Sequence, residues 1–191
     1  NRFGELGKEG VLCMLSDSTN AERPGYTESE RKVGASLKNL FERAGNRRII
    51  IATFASNVHR VQQIIDQAHS LGRKVALSGR SLENVVKIGA ELGYLNVPEG
   101  ELVSIDMINQ YPDEKMVIVT TGSQGEPMSA LSRMAFSDHR KVAVGPNDCV
   151  IISATPIPGN EKTVGKVINE LLKLGADVIY DFERKANVLA V

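Results

Sequence analysis

Short apolar runs alternate along this chain with longer segments in which apolar residues recur every three or four positions. The most continuous run, Ile49 to Ile51, lies in a predicted strand over residues 48–54. Similar runs predict further strands over residues 74–77, 117–119 and 149–152. These runs are too apolar for strands with one face in water, so we expect strands that are covered on both faces.

The segments between these strands have the apolar spacing and the end signals of helices. Thr27 and Glu30 form a capping box before a predicted helix that reaches about Ala44 and ends at Gly45. The same reasoning predicts four more helices, over residues 58–71, from Ser81 to about Leu92, after Pro127, and over residues 161–174. Strands and helices therefore alternate through most of the chain.

The two ends of the chain have weaker patterns. Residues 1–10 are predicted as a loose, linker-like lead, and residues 11–15 as a first strand. Other weak patterns predict helical turns over 104–110, short strands over 141–144 and 177–180, and a last strand over 187–191. Because that last run stops without a turn signal, we expect the chain to be a piece of a larger protein.

This alternation predicts an α/β fold with an open, mostly parallel sheet and helices on both faces, in the manner of Rossmann-like domains. A chain of 191 residues with 42% hydrophobic content can bury one substantial core or two small ones. We therefore expect residues 1–191 to form a single domain.

The carboxyl ends of five predicted strands carry serine or threonine. They are Ser16 to Thr19, Thr53 with Ser56, Ser78 to Ser81, Thr120 to Gln124, and Ser153 to Thr155. In a parallel sheet these ends lie along one edge, where open α/β folds bind ligands. Helix capping also favours these residue types, so a well-capped sheet that binds nothing is the alternative. Helix capping does not account for the additional polar residues at these ends, which are Arg80, Gln124 and Asn160. We therefore predict that this edge binds a phosphate or a nucleotide.

The central stretch from Met116 to Leu131 is the best candidate for such a site. A buried strand passes into a polar turn over residues 120–126, and Pro127 is predicted at the first position of a helix. Hydroxyls, an amide and unpaired backbone N–H groups would meet there at the positive end of a helix, which suits an anion. The alternative is a capped turn without a ligand.

Several other kinds of site are excluded or weakly supported. The chain has no dinucleotide-binding glycine motif, no nucleophile elbow and no Cys-x-x-Cys, and the resemblance of residues 159–166 to a P-loop fails in spacing. His59 could face the ligand edge or lie on a helix surface, whereas His69 and His139 are expected at the surface. Asp17 is either a turn former or an acid that points into a site.

Composition indicates the cellular environment of the protein more clearly than its function. The chain has 23 basic and 23 acidic residues, so a polyanion would have to be held by a local patch. Cys13 and Cys149 lie in apolar runs and are expected to be buried, reduced thiols. No apolar run is long enough to span a membrane and no signal-peptide pattern is present, so we expect a soluble, cytoplasmic protein.

Five segments together resemble the β-CASP domain of bacterial ribonuclease J, a metallo-β-lactamase-type RNA nuclease. They are residues 16–25, 53–60, 79–81, 121–129 and 156–161, which match in order and at family-like spacing over nearly the whole chain. The resemblance implies a Rossmann-like β-CASP fold. It also implies an RNA-binding part of a zinc-dependent nuclease that acts as a 5′-to-3′ exonuclease and an endonuclease in rRNA processing and mRNA decay.

The resemblance also implies cofactors and partners. Zinc in the full-length parent would be held by a His-x-His-x-Asp-His motif and further ligands, none of which are in this sequence, so the fragment should bind no metal and be inactive alone. Asp17 matches an acidic residue that supports a metal-ligating histidine. The implied partners are single-stranded RNA with a 5′-monophosphate and the parent's own metallo-β-lactamase domain, in a homo-oligomer.

By position, the resemblance and the strand ends indicate these RNA- or phosphate-binding residues: Gly122, Ser123, Gln124, Ser153, Thr155, Asn160, Arg80 and His59. Arg80 would clamp the backbone through its bidentate guanidinium. Two other functions remain open from the sequence. One is a free-standing nucleotide- or sugar-phosphate-binding module, and the other is a scaffold for subunit contact.

Overall fold

The computed structural model describes residues 2–18, 21–22, 24–25 and 30–180, and side chains in the last range from residue 34. Its α-helices are α1 (Arg2–Glu9), α2 (Glu30–Ala44), α3 (Val58–Ser70), α4 (Arg80–Glu91), α5 (Ala130–Ala135) and α6 (Glu161–Lys173). Its strands are β1 (Arg48–Ala52), β2 (Lys74–Ser78), β3 (Leu102–Val103), β4 (Met116–Thr120), β5 (Asp148–Ile152) and β6 (Asp177–Ile179). Two 3₁₀ helices cover Ile105–Gln110 and Asp113–Lys115.

The strands form one open sheet in the order β3-β2-β4-β1-β5-β6. Every neighbouring pair in it is parallel. The α/β fold and the parallel sheet predicted from the sequence are therefore confirmed, and all the carboxyl ends of its strands lie on one edge.

Two apolar layers cover the sheet because successive side chains of a strand point to opposite faces. Ile49 and Ile51 of β1 belong to a core shared with α2, α3 and α4. Ile50 and Ala52 belong to a second core shared with α5 and α6. Helices on both faces are thus confirmed, and this double cover explains why the strands lack polar alternation.

The predicted strand over residues 11–15 is wrong. Val11, Leu12 and Leu15 are exposed, and no strand forms over these residues. An apolar run becomes a strand only where another strand accepts its backbone hydrogen bonds, and the described part of the sheet does not pair with it. Residues 2–9, predicted as a loose lead, instead form α1, which has no buried residues. The strand predicted over 187–191 lies outside the described residues.

Two minor elements also differ from the prediction. No strand forms over residues 141–144, although Val142 is buried in the second core. The two-residue edge strand β3 was not predicted, since a strand this short has no periodicity to detect. The helical turns predicted over residues 104–110 are confirmed as a 3₁₀ helix.

The two cysteines have opposite environments. Cys149 is buried in β5, and its burial, followed by the negative charge of Asp177, raises the pKa of the thiol to about 11. Cys13 is exposed, which contradicts the prediction that both thiols are buried. That error has the same cause as the missing strand, because Cys13 lies in the same unpaired run.

Candidate phosphate-binding edge

Four of the five polar strand ends meet at the carboxyl edge of the sheet. Ala52 lies opposite Thr120 of β4 and Ile152 of β5. The pairing continues past the strand ends, because the Thr53 N–H donates to the Thr120 carbonyl at 3.1 Å and the Ser153 N–H to the Ala52 carbonyl at 2.8 Å. The fifth end is different, since Ser16 to Ser18 are exposed and outside the sheet and Thr19 is not described.

The connections that leave this edge diverge and form a crevice. The turn after β1 leads to α3 on one face, whereas the turns after β4 and β5 lead to α5 and α6 on the other face. Strand β1 lies between β4 and β5. Neighbouring strands whose connections go to opposite faces leave a crevice between them, and ligands bind there in open α/β sheets. The crevice is therefore centred on β1.

The turn after β4 is partly satisfied by its own residues. The Gln124 N–H donates to the Glu126 carboxylate at 3.2 Å, so one amide predicted for an anion already has an acidic partner. Helix α5 begins at Ala130, after the Ser129 cap, and Pro127 is therefore not its first residue as predicted. Ser129 accepts from the Ser132 N–H and provides the start signal that Pro127 was expected to give.

Gln124 joins the turn after β4 to the turn after β5. Its side-chain amide donates to the Thr155 carbonyl at 3.1 Å, and its oxygen accepts from the Ile157 N–H at 2.7 Å. The same oxygen accepts from the Asn160 side chain at 3.3 Å. Gln124 is buried, so these bonds fix the two turns as one surface. Its side chain braces the site and places Thr155 and Asn160 side by side.

Ser153 is held from below by Arg60, a residue that sequence reasoning missed. The Arg60 guanidinium is fully buried and donates to both the carbonyl and the hydroxyl of Ser153. Asn57 caps α3 by accepting from the Arg60 N–H at 3.0 Å. A cation in the first turn of a helix is unfavourable because it lies beside the positive end of the helix. The position of Arg60 in the first turn of α3 could therefore have indicated that its side chain binds another part of the fold.

The remaining candidates differ in exposure. Thr155 and Arg80 are exposed and Asn160 is half-buried, whereas Gly122 and Ser123 are buried. His59 is also exposed, but it lines an apolar cavity of about 300 Å³ between α3 and α4 with residues that include Leu92 and Tyr94. The structure thus brings the candidates of the β4 and β5 turns together, and it places His59 in a different, apolar environment.

One buried hydroxyl at this edge has no hydrogen-bond partner among the described residues. It belongs to Thr53, which is 1% exposed at the end of the central strand. A buried hydroxyl without a partner costs about 1–3 kcal/mol. The fold therefore leaves hydrogen-bonding capacity unused at the centre of the edge.

His139 is not a surface residue as predicted. Its Nδ1 accepts from the Val142 N–H at 3.1 Å, so Nε2 carries the proton and donates to the Ser78 hydroxyl at 3.0 Å. Burial lowers the pKa of this half-buried imidazole, and the charge of Arg133 lowers it further. His139 thereby ties the segment before β5 to the carboxyl end of β2.

We expect the stability of the chain to fall with acid partly through His139. The pKa is lowered from 6.5 in the folded state, so the neutral form stabilises the fold above that pH, and this stabilisation is lost as the pH falls through the folded pKa. Unfolding measured between about pH 7 and pH 5 should therefore be less pH-dependent in His139→Gln than in the unsubstituted chain. An identical pH dependence in the two proteins would contradict this role.

Asp17 lies in the exposed segment between α1 and α2, where its carbonyl accepts from the Ser16 hydroxyl at 3.4 Å. In the part of the chain that the structure describes, no three metal-ligating side chains converge. We therefore assign no metal ligand to these residues. No described helix has both the length and the apolar composition that a membrane span requires.

Comparison with known sequences agrees with this architecture. Residues 46–171 match the family model described as the β-CASP domain of ribonuclease J. The chain is 48% identical to ribonuclease J of Thermus thermophilus over 179 residues. This aligned region covers 94% of the chain and 31% of the Thermus protein. It is 42% identical over 182 residues to ribonuclease J2 of Bacillus subtilis, covering 95% of the chain and 33% of that protein.

A third relative gives the same result. Ribonuclease J of Mycolicibacterium smegmatis is 46% identical over 186 residues, which are 97% of the chain and 33% of that protein. The chain thus spans about a third of the length of these relatives. The matched segment includes the turns after β1, β2, β4 and β5 that form the crevice.

Proposed function

Because the chain belongs to the ribonuclease J β-CASP family, we propose that it forms the RNA-binding part of a zinc-dependent ribonuclease. The observation that carries this proposal is that Gln124 joins the β4 and β5 turns beside a crevice that contains the unpaired Thr53 hydroxyl. Polar groups held rigidly on one edge suit the sugar-phosphate backbone of single-stranded RNA.

We divide the candidate residues into those that contact RNA and those that hold the binding surface in place. Thr155, Asn160 and Arg80 are accessible, and with the Ser123 hydroxyl they are our proposed contacts to RNA phosphates. The Gln124 side chain is hydrogen-bonded to Thr155, and the Ser153 side chain is hydrogen-bonded to Arg60. We therefore propose that Gln124 and Ser153 hold the surface in place instead of binding RNA. Gly122 contributes a turn with φ of +106° that directs the loop back along the edge.

The rest of the reaction belongs to the intact protein. We propose that a metallo-β-lactamase domain outside this chain holds zinc and supplies the hydroxide for phosphodiester cleavage, with Asp17 supporting a ligand from this side. The described residues do not offer a zinc-ligand set, and we derive no metal-dependent step through them. From the family we also propose that the intact protein is a cytoplasmic homo-oligomer with exonuclease and endonuclease activity. We propose that it prefers RNA with a 5′-monophosphate and acts in rRNA processing and mRNA decay.

The test measures binding of fluorescent single-stranded RNA to the chain by anisotropy. A double variant, Arg80→Met with Asn160→Ala, should weaken binding about tenfold or more, since each lost charged hydrogen bond contributes about 1.5–3 kcal/mol. The matched control is Arg43→Met, which removes the same charge beside Asp177 at the opposite edge of the sheet. Unsubstituted chain that does not bind RNA would contradict the proposal. A mononucleotide that competes as strongly as RNA would instead favour the free-standing nucleotide module.

A further inference from the structure

Helix α3 begins at the same edge, a short turn after the end of the central strand β1. In that turn the Asn57 N–H donates to the Phe54 carbonyl at 3.1 Å, and the Val58 N–H donates to the Ser56 carbonyl at 3.0 Å. The Asn57 side chain caps the helix by accepting from the Arg60 N–H. These bonds hold the positive end of a 13-residue helix at the crevice.

This turn leaves several backbone donors free. In the part of the chain that the structure describes, no group accepts a hydrogen bond from the N–H groups of Ala55, Ser56 or His59. Ser56 and His59 are exposed and Ala55 is half-buried, so the turn is open to solvent. The first turn of α3 also has no acidic residue. In the turns after β4 and β5, by contrast, a glutamate side chain accepts from a backbone N–H.

A buried hydroxyl lies on the same side of the sheet as this helix. Side chains along β1 alternate between the two faces, and Ile49 and Ile51 face α3. Thr53 is next in that series, and its N–H bond to the Thr120 carbonyl continues the pairing of the sheet, so its side chain also lies on the α3 face. The Thr53 hydroxyl is buried without a partner among the described residues. Because such a hydroxyl costs free energy until it is paired, it is an independent indication of a ligand.

We propose that residues 53–57 and the first turn of α3 bind one phosphate group of RNA. Free N–H groups at the positive end of a helix form a site for phosphate. Its oxygens can accept from the N–H groups of Ser56 and His59, from the Ser56 hydroxyl, and from the Thr53 hydroxyl at the base of the turn. This inference rests on the proposed function and adds a contact on the wall of the crevice opposite the turn after β5.

The first experiment follows the backbone amides of the chain by NMR. Inorganic phosphate is added to one sample, and RNA octamers with and without a 5′-phosphate are added to two others. Each ligand that occupies the site should shift the amide resonances of Ala55, Ser56 and His59. Equal shifts with both octamers assign an internal phosphate to the site, whereas shifts that require the 5′-phosphate assign the end of the RNA.

A pair of glutamate variants tests the site by RNA affinity. Ser56→Glu offers a carboxylate to the free N–H groups and repels phosphate, so it should weaken binding of the octamer about tenfold or more. The matched control is Ser70→Glu, which adds the same charge at the exposed last residue of α3. This position is about 20 Å along the helix, beyond the Debye length of about 8 Å at physiological salt. The control should therefore change the affinity by about twofold or less.

Thr53→Val tests the buried hydroxyl separately. Because valine has no hydroxyl to leave unpaired, the variant should unfold at a higher denaturant concentration than the unsubstituted chain. It should nevertheless bind the octamer about five- to tenfold more weakly, because one donor to the phosphate is lost. A hydroxyl that only supports the fold would give the opposite change in stability and no change in affinity.

The outcomes separate this inference from the function on which it rests. If the octamer binds but the two glutamate variants lose affinity equally and the three amides do not shift, the phosphate site is wrong and the proposed function stands. If inorganic phosphate shifts these amides but RNA does not bind, the turn binds phosphate and the proposed function is wrong. If neither ligand binds, both are wrong.

Discussion

Replacement of Asp148 by alanine should lower the free energy of unfolding by about 3–5 kcal/mol, because it leaves a buried guanidinium without its partner. Asp148 binds Arg48 through both oxygens, at 2.7 Å to Nε and 2.9 Å to Nη2. The two side chains are only 3% and 11% exposed. Asp148 also accepts from the Gly145 N–H at 2.8 Å, so the turn before β5 would lose its anchor as well. Denaturant unfolding followed by circular dichroism measures the loss.

Two comparisons show whether the loss of stability comes from the unpaired charge of Arg48 or from the loss of any ion pair at this edge of the sheet. Asp177→Ala breaks an ion pair with Arg47 that has the same 2.7 Å distance but is 27% and 36% exposed, and it should cost about 1 kcal/mol or less. The double variant Arg48→Met with Asp148→Leu should lose less than Asp148→Ala, because no unpaired charge remains. Equal losses for Asp148→Ala and Asp177→Ala would refute the argument.

The sheet was predictable because its pattern is local and repeated. Four buried strands, β1, β2, β4 and β5, appear as apolar runs, and the helices between them have caps and glycine stops that a sequence displays directly. Since every crossover joins parallel strands, the common edge followed from the alternation alone. The run at residues 11–15 shows the limit, because its composition matches a strand but a strand also needs a neighbour that local pattern does not reveal.

The meeting of the polar strand ends on one edge was predictable, but the partners of their side chains were not. The sequence pointed to turns that the structure brings together, yet the partners of the polar side chains are distant in sequence. Gln124 bonds to Thr155 across 31 positions, and Arg60 bonds to Ser153 across 93. Whether a serine or glutamine faces a ligand or a neighbouring loop is decided by such contacts. His139 was predicted at the surface for the same reason, because its hydrogen bond to Ser78 joins residues that are 61 positions apart.

The second large effect is expected at Gly125, where the turn after β4 touches the first turn of α6. Its φ is +73°, a conformation that costs other residues about 1–2 kcal/mol. A Cβ atom there would lie 2.8 Å from the Thr163 carbonyl carbon and the Val164 nitrogen, which are backbone atoms and cannot rotate away. Overpacking of this kind costs about 1–3 kcal/mol. Gly125→Ala should therefore lose about 3 kcal/mol of stability in total.

The same substitution should also damage the proposed RNA surface. To accept the methyl group, the turn must move away from α6, and the bonds from Gln124 to Ile157 and Asn160 are the contacts that this movement stretches. RNA affinity measured under conditions where the variant is still folded should fall by about tenfold or more. The control is Gly165→Ala in the same helix, where a Cβ meets nothing within 4 Å and should add about 0.5–1 kcal/mol of stability. If the two alanine variants have the same free energy of unfolding and the same RNA affinity, the close contact between this turn and α6 does not organise the edge.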